Sequence, residues 1–354
     1  MGLELADRGH EVHFITYSNP IRLDPGIPRI TYHEVEVSTY PLFQYPPYCL
    51  ALASRMMEVA EDYSLDLLHV HYAIPHSISA MLAQQMIAPK RRLPFITTLH
   101  GTDITLVGTD ASYFPITKFS IEKSDAVTSI SEDLRRQTVK VFGVSGEIRV
   151  IPNFINTSLY IPREDKTGAM AYAPKGEKLL IHVSNFRPVK RVLDCIRILD
   201  EVRKHVPAHL LMVGDGPDRG AAEHLARELN LARHVSFLGK QSHVERLIPL
   251  AHVLLMPSET ESFGLVALEA MACGVAPVAT RAGGVPELIA DGENGFMETP
   301  GDVEAQAART IALLTDESLH RRITTAGRAR AIEQFSTERI IPQYERYYEE
   351  VIGK

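Results

Sequence analysis

Short apolar runs rich in β-branched residues alternate along the chain with stretches whose apolar positions recur every three or four residues, the pattern of a parallel α/β sheet. In the first half, runs at 12–16, 30–37, 67–71, 95–99, 126–130 and 148–151 predict strands. Periodic stretches at 50–63, 77–87, 115–123 and 132–141 predict the helices between them. Residues 152–174, punctuated by proline and without a period, predict an interdomain connection. The alternation then restarts, with strands expected at 178–183, 209–213, 235–237, 253–256 and 275–279 and a long helical tail.

Two doubly wound, Rossmann-like domains follow from this pattern. They are expected at 1–155 and 156–335, with a last helix at 336–354 that crosses back to the first domain. In such folds the loops at the carboxyl ends of the strands face the ligand cleft. The opening residues, Met1 to His10, read as the end of a helix stopped at Gly9. A doubly wound sheet usually starts with a central strand and a glycine-rich turn. Neither is legible here, so the first strand of the N-terminal domain is expected to be missing.

Composition narrows the class. Apolar residues make up 45% and charged residues 23%, as in a soluble globular protein. A formal charge of -7 leaves no basic surplus for nucleic acid. Cys49, Cys195 and Cys273 are too few and too scattered for a disulfide framework or a zinc site. No run is apolar enough to span a bilayer and no signal peptide is legible, so a cytoplasmic protein is expected, without nucleic-acid or membrane partners. A homo-oligomer stays open.

Candidate chemistry clusters after strands. Glu261 and Glu269 lie eight positions apart around Phe263-Gly264-Leu265. A helix starting near Phe263 would set the two carboxylates about 12 Å apart along its axis, roughly the span from a sugar ring across a diphosphate to a ribose. The N–H groups of Gly264 and Leu265 would then face the phosphates. The plainer reading is a capping Glu261 and a solvated Glu269, but residues 265–277 are otherwise almost wholly apolar, where a carboxylate needs a partner.

Ser184-Asn185-Phe186-Arg187-Pro188-Val189-Lys190 follows a predicted strand and opens a helix. Cations there oppose the helix dipole unless an anion is bound, so Arg187 and Lys190 suit a diphosphate better than bare surface. Gly214 and Gly239 sit in turns after two further strands, evenly divided between simple chain reversal and ligand loops, as is Gly283-Gly284-Val285-Pro286-Glu287. His100-Gly101 closes a first-half strand and can meet a donor sugar. Such a histidine is structural more often than not. His69 and His71 share a strand face, but no third ligand follows, so core packing is favoured over a metal.

Together, Glu261 and Glu269, Arg187 and Lys190, the Gly-Gly-Val-Pro-Glu turn and His100-Gly101 resemble glycosyltransferase family four, whose members have the two-lobed GT-B fold and retain anomeric configuration. The resemblance implies that Glu261 holds the donor sugar, Glu269 the ribose, Arg187 and Lys190 the diphosphate, and His100 the sugar's 6-hydroxyl. Ser184, Asn185, Gly214, Gly239, Phe263, Gly264 and Leu265 complete the donor-binding set.

Tyr45 to Tyr48, His69 to His76, Thr97 to Thr105 and His182 to Arg191 are similar to a narrower group within the family. Its members pass N-acetylglucosamine from UDP-N-acetylglucosamine to L-malate, the first step toward bacillithiol. By that resemblance Tyr72, Thr98, Lys118 and Asn153 bind the acceptor, and no cofactor or metal is required. Two departures stand out: Lys118 occupies a position where the family usually has Arg, and the family's Gly-Gly-Ser-Gly loop after the first strand is absent. A relative with another small acceptor and a catalytically silent nucleotide-sugar binder remain as alternatives. A nicotinamide dehydrogenase is disfavoured by the lack of Gly-x-Gly-x-x-Gly.

Overall fold

The strands form where β-branched and aliphatic residues run together without interruption. Phe95–Leu99 and Ala126–Ser129 are buried along their whole length, as expected for parallel strands covered on both faces. The computed structural model describes residues 1–20, 23, 26–38, 45–163 and 167–353. Of the expected interdomain connection, 164–166 lie outside the described residues. The chain divides into two units, Met1–Pro152 with Ile340–Lys354, and Asn153–Arg339.

The first unit runs α1 (Gly2–Asp7), β1 (Val12–Thr16), β2 (Ile30–Glu34), α2 (Tyr48–Asp62), β3 (Leu68–His71), α3 (Ile78–Ile87), β4 (Phe95–Leu99), α4 (Thr102–Thr105), α5 (Phe114–Lys123), β5 (Ala126–Ser129), α6 (Glu132–Phe142) and β6 (Ile148–Val150). β3 to β6 pair in sequence order as a parallel sheet, and β1 pairs with β2 in a separate parallel sheet. Leu52, Met56 and Ala60 of α2 and Ala80, Ala83 and Ile87 of α3 pack with Val70 and Phe95 in one apolar core. α6 is capped at both ends: Ser131 Oγ accepts the Leu134 N–H, and Gly143 closes the helix in the left-handed conformation.

The second unit runs β7 (Lys178–Val183), α7 (Val192–Arg203), β8 (Ala208–Val213), α8 (Arg219–Glu228), β9 (Val235–Gly239), β10 (Val253–Met256), α9 (Leu265–Ala272), β11 (Ala276–Thr280), α10 (Val285–Leu288), β12 (Phe296–Glu298), α11 (Val303–Thr315) and α12 (Glu317–Phe335). Its parallel sheet has the order β12-β11-β10-β7-β8-β9, that of a dinucleotide-fold sheet. The last helix, α13 (Thr337–Ile352), lies mostly in the first unit. There Glu345 pairs with Arg8 at 2.8 Å, and the Arg149 guanidinium stacks 3.9 Å from the centre of the Tyr347 ring.

Three sequence expectations shift. The strand expected to reach residue 37 ends at Glu34, and the three-residue β12 carried no legible pattern. The helix expected near Phe263 starts at Leu265, capped by Gly264 in the left-handed conformation. Glu261 therefore lies outside the helix, and a helical rise cannot give its distance from Glu269.

Among the described residues, no helix is long and apolar enough to cross a membrane.

Candidate active site

In the second unit the chain reverses direction of sheet growth between β7 and β10, the switch point at which such sheets open a ligand crevice. The loops after these strands meet there. The Glu259 N–H donates to Val189 O at 2.8 Å, drawing one loop onto the other. Lys190 Nζ then sits 2.5 Å from Glu261 Oε1, and Ser258 Oγ donates to the same oxygen at 2.9 Å. Both charged side chains keep a solvent-facing edge, 22% and 15% exposed. A bound anion can therefore reach the ammonium.

The local backbone differs from a simple helix N-terminus. Pro188–Lys190 form one 3-10 turn, Arg191 takes a left-handed conformation at φ 49°, and α7 begins only at Val192. Lys190 thus projects from the turn ahead of the helix rather than from its first turn. Arg187, half-buried, flanks the same turn and has no ion pair among the described residues.

Close backbone packing draws the remaining donor candidates to this edge. A Cβ on Gly214 would lie 1.7 Å from Ser184 O, and one on Gly283 would lie 1.9 Å from Glu261 O. Both positions also have positive φ, so only glycine fits. Gly214 N donates to Gly239 O at 2.8 Å, and Gly284 N donates to Glu261 O at 2.9 Å. Ser184, Asn185, Gly214, Gly239, Lys190 and Glu261 therefore share one sheet edge.

His182, which the sequence reading did not single out, fixes Ser184. Its Nδ1 lies 2.9 Å from Leu255 O and must donate, because a carbonyl only accepts. Nε2, 2.7 Å from Ser184 Oγ, must then accept the serine proton. Burial, opposed by that carbonyl bond and reinforced by the Lys190 charge, lowers the His182 pKa to about 4. The ring stays neutral and Ser184 keeps its orientation at neutral pH.

Glu269, in the middle of α9, is buried, and Tyr160 Oη donates to its Oε1 at 2.9 Å. That bond supplies the partner a carboxylate in an apolar helix requires. The Phe263 ring packs against Phe335, edge to face at 5.7 Å between centroids. Leu265 opens α9, where the first N–H groups have no acceptor within the helix.

In the first unit, the structure assembles Tyr72, Thr98 and His100. Tyr72 N donates to Thr98 O at 2.8 Å, and the Tyr72 and His100 rings lie 4.9 Å apart. His69 and His71, expected to pack in the core, prove part of this group. His71 Nδ1 is 2.8 Å from His100 Nε2, so one ring donates and the other accepts. His69 lies between Thr98 Oγ1 and Tyr348 Oη, 2.7 Å from each. Burial is the main cause that lowers His69 to about 3, His71 well below its usual value and His100 to about 4. The cluster holds no charge near neutral pH, and among the described residues no group of metal-ligating side chains could hold a metal ion.

Asp103 organises this turn. Its buried carboxylate accepts from Ala73 N at 2.8 Å, Gly101 N at 2.9 Å and His100 N at 3.3 Å. Burial raises its pKa, and these three bonds oppose that rise. Lys118 does not join the group: its ammonium faces Glu122 at 3.8 Å and the turn at Gly143. Asn153 is the first residue of the second unit.

Comparison with known proteins fits this architecture. A profile described as "Glycosyltransferase Family 4" matches residues 1–159, and one described as "Glycosyl transferases group 1" matches 170–330. The chain belongs to this glycosyltransferase family, with the GT-B fold. Among its relatives, the N-acetyl-alpha-D-glucosaminyl L-malate synthase of Bacillus anthracis is 47% identical, over 99% of this chain and 92% of the relative. A GDP-mannose-dependent alpha-(1-6)-phosphatidylinositol monomannoside mannosyltransferase of Mycolicibacterium smegmatis is 29% identical over 80% of this chain and 76% of its own length. In fold, the chain resembles the sucrose-phosphate synthase of Thermosynechococcus elongatus, with a TM-score of 0.81 at 23% identity, covering 99% of this chain and 92% of that one. It also resembles Anabaena HepE in complex with UDP-glucose, with a TM-score of 0.77 at 22% identity, covering 92% and 86%.

Proposed function

We propose that this chain is a retaining glycosyltransferase that transfers N-acetylglucosamine from UDP-N-acetylglucosamine to the hydroxyl of L-malate, the first step of bacillithiol formation. Identity of 47% with the B. anthracis malate synthase across nearly the whole chain carries the choice of substrates. The donor assignment is supported by the Lys190–Glu261 pair at the sheet's switch point.

Lys190 and Arg187 bind the diphosphate, Glu261 the sugar hydroxyls and Glu269 the ribose. Backbone groups of Gly214, Gly239, Gly264 and Leu265 surround the nucleotide. Tyr72, Thr98 and Asn153 bind malate, and His100 contacts the sugar. The malate oxygen attacks the anomeric carbon on the face the leaving group departs from, and the bond to the phosphate oxygen breaks. The malate proton passes to that phosphate oxygen, so no protein nucleophile is needed. Charge grows on the leaving diphosphate as the bond breaks, and fixed cations stabilise it more in the transition state than in the ground state.

Mass spectrometry and proton NMR of products from UDP-N-acetylglucosamine and L-malate test the proposal. The expected result is an N-acetylglucosaminyl malate with the α-anomeric coupling of the donor. Transfer only to another acceptor, such as an inositol phosphate, or a β-anomeric product, contradicts it.

A further inference from the structure

We infer that Tyr160 is a positioning residue of the donor half-site, whose buried hydroxyl holds Glu269 in the orientation that accepts hydrogen bonds from a ribose diol. The inference rests on the donor reading above and deepens it. Tyr160 lies 109 positions before Glu269 in a segment without regular structure, yet it is 3% exposed and its Oη donates to Glu269 Oε1 at 2.9 Å.

The backbone of the segment that carries Tyr160 is held at several points. Ile155 N donates to Phe335 O at 2.8 Å, and Thr337 N donates to Ile155 O at 3.1 Å. Asn156 Oδ1 accepts from Ser158 N and Leu159 N, closing a side-chain turn, and Tyr160 N donates to Asn156 O at 3.0 Å. The Arg328 guanidinium donates both to Tyr160 O and to Ala272 O, tying this segment to the end of α9.

A stability role alone does not call for this arrangement. α9 is otherwise apolar, and well-packed apolar groups stabilise such a site as well as or better than a buried charge does. The carboxylate's influence is felt nearby: Cys273 is pushed up to about 12, first by burial and next by the Glu269 charge. A donor on one oxygen restrains a carboxylate's rotation about its last bond. Tyr160 fixes Oε1, which orients the acceptor directions of the whole group for a cis-diol.

Calorimetric titration of the full chain with UDP and with 2′,3′-dideoxy-UDP separates this role from simple packing. Tyr160→Phe is expected to weaken UDP about tenfold, the usual scale for one hydrogen bond to a charged group. It is expected to leave the dideoxy ligand within about twofold. Glu269→Gln with Tyr160→Phe should bind UDP no more weakly than Glu269→Gln alone, since coupled residues do not add. In turnover, the KM for UDP-N-acetylglucosamine should rise while kcat changes little. Equal weakening of both ligands, additive losses, or unchanged UDP affinity in Tyr160→Phe would overturn the inference alone. A wild-type chain that binds no UDP would overturn both it and the donor reading.

Discussion

The two halves of this molecule treat charge in opposite ways. At the switch point of the second unit, Lys190 and Glu261 form an ion pair that keeps a solvent-facing edge, with Arg187 flanking the same turn. At the corresponding sheet edge of the first unit, His69, His71 and His100 are buried and held neutral, and the one carboxylate, Asp103, is consumed by backbone N–H groups. The first arrangement leaves charge available to a ligand. The second keeps charge out and spends polar groups on fixing geometry. That contrast fits a transferase whose leaving group is an anion held by the second unit.

Removing the ammonium is the most severe test of the contrast. Lys190→Ala is expected to lower kcat/KM about a thousandfold, on the scale seen when a fixed charge-stabilising group is lost. Unfolding of the variant should change far less than activity does, because both side chains keep a solvent-facing edge and Ser258 Oγ still donates to Glu261. A loss of activity matched by a large fall in Tm would make Lys190 a structural residue and erase the difference between the halves.

Asp103→Ala probes the opposite side and should act in reverse order, on folding first. Two buried N–H donors and a part-buried one would lose their acceptor, at a cost of about 3 kcal/mol. Denaturant unfolding measures it. A variant of near-normal stability but no activity would show that Asp103 serves chemistry directly.

The smallest expected effect is a pH dependence of stability. His69, His71, His100 and His182 have folded pKa values below the unfolded 6.5, so the unfolded chain takes up protons first as pH falls. Their contribution is intact above pH 6.5 and is lost as pH falls from there toward the folded values near 3 to 4. Asp103, held above its usual value, acts the opposite way below its folded pKa, one group against four. Thermal melts between pH 7 and 5 should show a steady fall, and His182→Asn should flatten part of it. A flat profile would mean that these rings are solvated, and the first half would lose its neutral character.

Much of the fold was legible because its strands are short, apolar and regularly spaced, as at 95–99 and 178–183. β12 was not, because three residues carry no period. The start of α9 was misplaced because Gly264 enters the helix from a left-handed conformation, leaving Ser262 and Phe263 outside it. The Lys190–Glu261 grouping was legible as residue types after strands, but their direct contact depends on the β7–β10 neighbourhood, which only the sheet order sets. The histidine network hides for a similar reason. The parallel register sets His71 opposite Thr98, which lets His69 and His71 reach Thr98 and His100, and no local spacing reports a register. Asp103 did leave a trace, an acidic residue two positions after a glycine at a strand end, the usual mark of a side chain that closes its own turn.

A crystal structure of the chain with bound UDP tests the central assignment most directly. The diphosphate should lie beside Lys190 Nζ and Arg187, with the ribose hydroxyls on the Glu269 carboxylate. A nucleotide bound away from the β7–β10 edge, with the Lys190–Glu261 pair undisturbed, would contradict it.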